Sequence, residues 1–301
     1  MDEYRDIENE FDKLERSLVK RKWKCMCPKC NEHAINSHLL QRNGILNHVA
    51  ENGHLYEMRG QYVYNLRYTN VLMEPQKVGI NHAISFPLFC GKHDSSLFKS
   101  IEGNHIDFDD YRTQLLFSYR SICSEIRKKQ FNIERFRLLT ENQDKFDVLL
   151  GTKLGICDLN TYKQLVEENL NESDQKFTFL HLTYPFLPVY ASGVTSNYFI
   201  DEENNSYMEH IAIEPMLDSI FINIIPQHES LEIIIGYSND HIHKNLLNYI
   251  KSWENLSWEK LQQQIWNLFE HSIETWGISP SFYDKMPQVW KYGYTSLNFN
   301  T

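Results

Sequence analysis

Apolar residues in the first stretch of the chain, residues 2–22, fall at Ile7, Phe11, Leu14 and Leu18, with alternating charges between them. That spacing places them on one side of a helix and predicts an amphipathic helix that packs against another part of the protein. Between 37 and 50, Leu39, Leu40, Ile45 and Leu46 again recur at helical intervals, and Asn52-Gly53 follows as a stop signal, so a second helix is predicted there. Residues 54–72 alternate as short strands (Leu55-Tyr56, Tyr62-Val63-Tyr64), and 79–87 run as extended chain towards Cys90.

From about 108 to 172 three-to-four spacing returns in 111–126, 131–139 and 146–154, which predicts a helical middle. After 176 the pattern changes to short β-rich runs at 177–182, 211–213, 219–225 and 231–237, separated by turn signals at Pro185, Gly193, 202–205 and 226–228. The connection between the last two runs is short enough for a hairpin, so an antiparallel sheet is the economical arrangement. Two helices, 240–253 and 257–275, and an aromatic tail around Trp276, Phe282, Tyr283 and Trp290 complete the chain. The predicted fold is α+β: an N-terminal module over 1–107, a helical segment over 108–175 and an α+β domain over 176–301.

Chemistry enters at two short clusters, Cys25-Met26-Cys27-Pro28-Lys29-Cys30 and Phe89-Cys90-Gly91-Lys92-His93-Asp94. Each offers two ligands at the spacing of a tight turn, and together they supply the four that tetrahedral zinc requires. Cys27, Cys30, Cys90 and His93 are the predicted ligands, with Cys27 favoured because Pro28 then sits inside the knuckle. Cys25 and Cys30 form an equally acceptable Cys-x4-Cys pair, so the first sulfur stays open between Cys25 and Cys27. Asp94 or a following serine caps a predicted helix whose Leu97, Phe98 and Ile101 share one face. A knuckle in front and a ligand pair entering a helix behind outline a treble-clef zinc finger, here with residues 31–89 as a long insertion.

Composition changes this picture in three ways. A chain of 301 residues with 42% hydrophobic and 13% aromatic residues builds a sizeable core. No run of about 18 apolar residues occurs, and the opening Asp2-Glu3-Tyr4-Arg5-Asp6 is unlike a signal peptide, so a soluble, cytoplasmic protein with no membrane partner is expected. The six cysteines, three of them in one knuckle, fit metal binding better than a disulfide framework. The formal charge of −10 argues against a nonspecific grip on nucleic acid by the whole surface. Two basic groups stand out locally: Lys20, Arg21, Lys22 and Lys24 run into the knuckle, and Arg127, Lys128, Lys129, Arg135 and Arg137 lie in the helical middle.

In the ββα-metal nucleases a histidine activates water beside a divalent ion held by polar residues, and His38, after the knuckle, and Asp94, beside a ligand, stand where a resemblance to that mechanism would put its base and its carboxylate for a Mg²⁺ or Mn²⁺ ion. Over residues 25–102 the arrangement resembles the HNH (ββα-metal, treble-clef) endonuclease family, with Phe89-Cys90-x-x-His93-Asp94 in place of that family's Leu-Cys-x-x-Cys-His segment. Asn81 is the nearest substitute for its asparagine. Ile35-Asn36-Ser37-His38, Gly53-His54-Leu55-Tyr56 and the segment from Phe89 to Glu102 also resemble a set of uncharacterised bacterial proteins. The HNH resemblance implies a zinc-braced, metal-dependent nuclease acting on nucleic acid, with His38 and Asp94 catalytic. The alternative expectation is a non-enzymatic, zinc-stabilised adaptor or recognition protein with a protein partner. The other histidines, His48, His54, His181, His241 and His243 among them, are read as structural. No phosphate-binding Gly-rich loop or Gly-x-Ser-x-Gly elbow is present.

Overall fold

The computed structural model describes residues 10, 12–18, 20–65, 68–103, 105–137, 143–170, 174–196 and 216–286. The fold is α+β, with a small N-terminal hairpin, a helical middle and an antiparallel sheet flanked by helices. The N-terminal hairpin pairs β1 (Ile35–His38) with β4 (Ser85–Phe89), in register from Ile35 opposite Phe89 to His38 opposite Ser85. Between them the chain builds a long hairpin, β2 (His54–Asn65) and β3 (Tyr68–Gly79). Directly after β4 comes a short helix, α1 (Gly91–Leu97).

Two long helices follow, α2 (Tyr111–Phe136) and α3 (Gln143–Asn169). The strands β5 (Phe177–Pro185), β6 (Val189–Ser196), β7 (Ser219–Pro226) and β8 (Ser230–Ser238) then form the body of the sheet. Helices α4 (Lys244–Lys251) and α5 (Trp258–His271), the short β9 (Trp276–Ile278) and α6 (Pro280–Lys285) complete the described chain. The large sheet has seven strands in the order β3-β2-β9-β6-β7-β8-β5. Its topology crosses the boundary expected at residue 107, because β2 pairs with β9 and thereby fuses the N-terminal insertion to the C-terminal sheet.

The layers follow from which faces are apolar. β7 is buried at every position and Ile233, Ile234 and Ile235 of β8 are fully buried, as strands covered on both sides must be. One face packs on α4 through Leu246 and Ile250 and on α5 through Leu261, Ile265 and Trp266. The other face receives α2, which is buried around most of its circumference from Thr113 to Ser124. Asp110 caps α2 by accepting a hydrogen bond from the Thr113 amide at 2.8 Å, a contact worth about 1 kcal/mol. On its far side α2 supports the N-terminal module, with Tyr119 against Phe89 and Phe98.

Several expectations are corrected here. The helix expected at 37–50 is instead β1, a run of turns and a 3-10 turn at Leu46–His48, with Leu39, Leu40, Ile45 and Leu46 buried as a core-filling loop. Helix α2 is continuous where 111–126 and 131–139 were read as separate runs, and Leu139 lies outside the described residues. Gly193, read as a turn signal, lies inside β6, and a Cβ there would approach the Ile273 side chain to 3.0 Å. Trp276, read as tail, belongs to β9, which bridges β2 and β6; Gly277 is required there because a Cβ would meet the Tyr190 hydroxyl at 2.2 Å. The expected helix over 2–22 is described only in part, as helix over 12–18; Ile7, Phe11, the strand at 211–213 and Trp290 lie outside the described residues. Among the described residues no helix is long and apolar enough to cross a membrane.

One ionic contact ties the approach to α2 onto the sheet. His181 on β5 places Nδ1 2.7 Å from Asp109 and Nε2 2.9 Å from Glu232 of β8, so both ring nitrogens face carboxylates. The Glu232 hydrogen bond, then that of Asp109, raises the His181 pKa despite partial burial. Burial pushes Glu232 up, but hydrogen bonds from His181, Ser230 and Thr183 hold it below its usual range. A histidine whose folded pKa is raised contributes its full stabilisation below about pH 6.5 and loses it as pH rises through the folded value. Thermal unfolding from about pH 6 to pH 9 is expected to show a falling Tm in the wild type and a shallower fall in His181→Gln. Equal slopes would remove this contact from the account.

Candidate metal centre

The knuckle is built on a short antiparallel pairing. Lys24 bridges His33, the Cys25 amide donates to Glu32 O at 2.9 Å, and the Ala34 amide donates to Trp23 O at 2.8 Å. Within that ladder Cys27-Pro28-Lys29-Cys30 makes a tight turn closed by Cys30 N to Cys27 O at 3.3 Å, with Pro28 at its first central position and Lys29 at φ 59°. The Met26 amide donates to Leu88 O at 2.9 Å, which docks the knuckle beside β4. Cys90 follows β4 and caps α1, so His93 lies in the first turn of the helix.

These elements bring Cys25, Cys30, Cys90 and His93 together, with one ligand atom from each within 4.8 Å of all the others. Cys30 Sγ lies 3.9 Å from Cys90 Sγ, and His93 Nδ1 lies 3.4 Å from Cys25 Sγ and 3.3 Å from Cys90 Sγ. A tetrahedron with bonds of about 2.3 Å to sulfur and about 2.0 Å to nitrogen has edges of about 3.8 Å between sulfurs and about 3.5 Å between sulfur and nitrogen. The donor set and its spacing therefore fit structural zinc. A zinc ion there would be held by Cys25, Cys30, Cys90 and His93, with no coordination position left for substrate.

The protein prepares these sulfurs unequally. Cys90 at the start of α1 accepts from the backbone amides of His93 and Lys92, and the His93 amide above all lowers its pKa. Burial raises the Cys25 thiol, although the backbone amides of Cys90 and Cys27 oppose that shift. Metal binding would offset the cost of deprotonating it.

Cys27, the favoured first ligand, stands outside the cluster and Cys25 takes its place. Cys27 opens the turn, its carbonyl accepting from Cys30, and its side chain packs near Cys123. Burial there pushes the Cys27 pKa up to about 12, which is the behaviour of a packed thiol. The Cys-x4-Cys pair is the one whose sulfur atoms the structure brings together with Cys90 and His93.

His38 ends β1, half-buried, with Nε2 3.3 Å from the Ile80 carbonyl oxygen. Burial chiefly lowers its pKa, and the Arg42 and Arg120 charges act in the same direction, so the imidazole is neutral at pH 7. Asp94 faces another charge: its Oδ1 lies 3.5 Å from Nη2 of Arg120, an ion-pair contact without a hydrogen bond, while that guanidinium bonds Glu102. Arg120 is only 1% exposed and lies over the Phe98 ring at 4.1 Å. Asn81 accepts from Arg42 at 2.9 Å. Sequence reasoning missed Arg120, whose place in the uninterrupted α2 pattern carries no sign of its partners.

Purified protein is expected to hold close to one zinc per chain, retained in Cys27→Ala and lost in Cys25→Ala, Cys30→Ala and Cys90→Ala. Cys27→Ala is expected to cost about 1 kcal/mol of stability through lost packing alone. Elemental analysis with thermal melts checks both, and metal loss in Cys27→Ala with retention in Cys25→Ala would reverse the assignment.

Comparison with protein-family models, with curated proteins and with solved structures returns no match to this chain.

Proposed function

We propose that the zinc centre is a structural brace and that the protein is a non-enzymatic recognition or adaptor protein. The observation that carries this reading is the contact of Asp94 with Arg120. The carboxylate that a second, catalytic cation would use already faces a buried guanidinium, whose charge opposes a cation at the same place. All four zinc positions are taken by side chains, which favours a structural over a catalytic site. An apolar row on α3 supports a protein-binding role: Phe146, Leu150 and Leu154, spaced four apart, are 60%, 46% and 41% exposed.

A second reading, an HNH-like nuclease using Mg²⁺ or Mn²⁺, is favoured by the succession β1, β4, α1 with a neutral His38 at the end of β1. In that reading Asp94 leaves Arg120 when the second metal binds, and His38 takes a proton from water attacking a phosphodiester.

Incubation of zinc-loaded protein with single- and double-stranded DNA and RNA in Mg²⁺ or Mn²⁺ separates the two. The structural reading expects no metal-dependent cleavage, and Asp94→Ala that keeps zinc but loses about 1–3 kcal/mol of stability as Arg120 is left with Glu102 alone. Cleavage by wild type that disappears in both His38→Ala and Asp94→Ala, with zinc and fold retained, would establish the nuclease reading instead.

A further inference from the structure

The two basic groups distinguished in the sequence meet in space. The lead-in to the knuckle, α2 and α3 enclose an open cleft of about 450 Å³, and Lys22, Lys24, Arg127 and Lys163 line it without a carboxylate among the lining residues. Such a volume accommodates a small ligand. The chain carries a net charge of −10, so a cleft of this sign runs against the character of the molecule.

Arg127 is the informative residue because of what it lacks. Several of the basic residues on α2 have carboxylate partners: Arg120 pairs with Asp94 and Glu102, Lys128 with Glu125 at 2.7 Å, and Arg135 with Glu15 at 2.6 Å. Arg127 is 4% exposed and has no carboxylate within ion-pair distance among the described residues. Its Nη1 donates to Gln130 at 2.8 Å and its Nη2 to the Lys24 carbonyl at 3.0 Å, while Nε has no hydrogen-bond partner. The guanidinium lies over the Trp23 ring at 4.5 Å. A buried cation without a counter-ion is costly, and an anion bound beside it would lower that cost.

We propose that this cleft binds a compact phosphorylated ligand carrying at least two negative charges, with Lys22 and Lys24 at its rim and Arg127 and Lys163 behind. Lys163 is already paired with Glu167 at 2.5 Å. A zinc ion with three thiolates carries one net negative charge, and Cys25 lies in the cleft wall. Setting Glu167 and that centre against the four cations leaves two positive charges, enough to hold a group with two or more negative charges, as pyrophosphate has. The charge count rests on the zinc reading; the cleft and the unpaired Arg127 do not. The Trp23 ring is engaged by Arg127, by Arg21 at 4.9 Å and by Phe131 at 5.2 Å, so binding is assigned to phosphate rather than to base stacking.

Calorimetric titration of the full, zinc-loaded chain tests this with pyrophosphate, inorganic phosphate and a single-stranded oligonucleotide as separate ligands, zinc content being measured before and after. Pyrophosphate is expected to bind with Kd below about 1 mM. Lys22→Glu combined with Lys24→Glu, both exposed, is expected to weaken it about tenfold or more with unchanged zinc and Tm, while Lys251→Glu on α4 leaves it unchanged. Absence of saturable pyrophosphate binding, binding indifferent to the double variant, or binding of the oligonucleotide alone would each overturn the proposal. A failure with zinc intact leaves the zinc centre standing, whereas metal-free folded protein strikes the centre and not the cleft.

Discussion

The convergence of Cys25 and Cys30 with Cys90 and His93 is the contact on which the N-terminal half depends, because it closes the chain over residues 31–89. A cross-link spanning about 60 residues removes about 4 kcal/mol of chain entropy from the unfolded state. Metal coordination would do the same while folding the knuckle directly. The closed loop contains the β2–β3 hairpin, whose β2 pairs with β9 at Tyr56 and Glu57. Closing a zinc centre there would therefore also position two strands of the seven-stranded sheet.

A second link joins the same parts through buried polar groups. Glu57 on β2 accepts from the Ile84 amide at 2.7 Å and from the Tyr190 hydroxyl on β6 at 2.9 Å. Burial pushes its carboxyl pKa up, and Arg59, Tyr190 and the Ile84 amide oppose that shift. Ile84 adopts φ 30°, a backbone conformation costly for a β-branched residue. Its amide is held by Glu57, and its carbonyl accepts from Leu39 at 3.0 Å. The strained residue thus ties the loop after β1 to the sheet. Helix α2 completes the connection, with Ser121 bonded to Ser192 and Asn223 on the sheet side and Tyr119 packed on Phe89 on the module side.

Sequence pattern reveals what periodicity controls and hides what tertiary packing decides. The helical character of α2 and α3 is legible, though α2 is read as two runs and α3 only over 146–154, and the strands β5, β7 and β8 are legible because each keeps one pattern for its whole length. Leu39, Leu40, Ile45 and Leu46 mimic a helix, since a buried loop also spaces its apolar residues. β6 and β9 are hidden by Gly193 and Gly277, which serve close packing rather than turning. The metal site is legible as a donor set, yet the choice between Cys25 and Cys27 depends on which one the turn throws into the core. Asp94 is visible as a carboxylate, but its buried partner Arg120 lies on another element and leaves no local trace.

X-ray absorption at the zinc edge tests the central claim most directly, because it counts the donors around the metal. The account predicts three sulfurs at about 2.3 Å and one nitrogen at about 2.0 Å in the wild-type protein, with no exchangeable oxygen ligand. A shell containing water or carboxylate oxygen, or a folded protein that takes up no zinc, would contradict it.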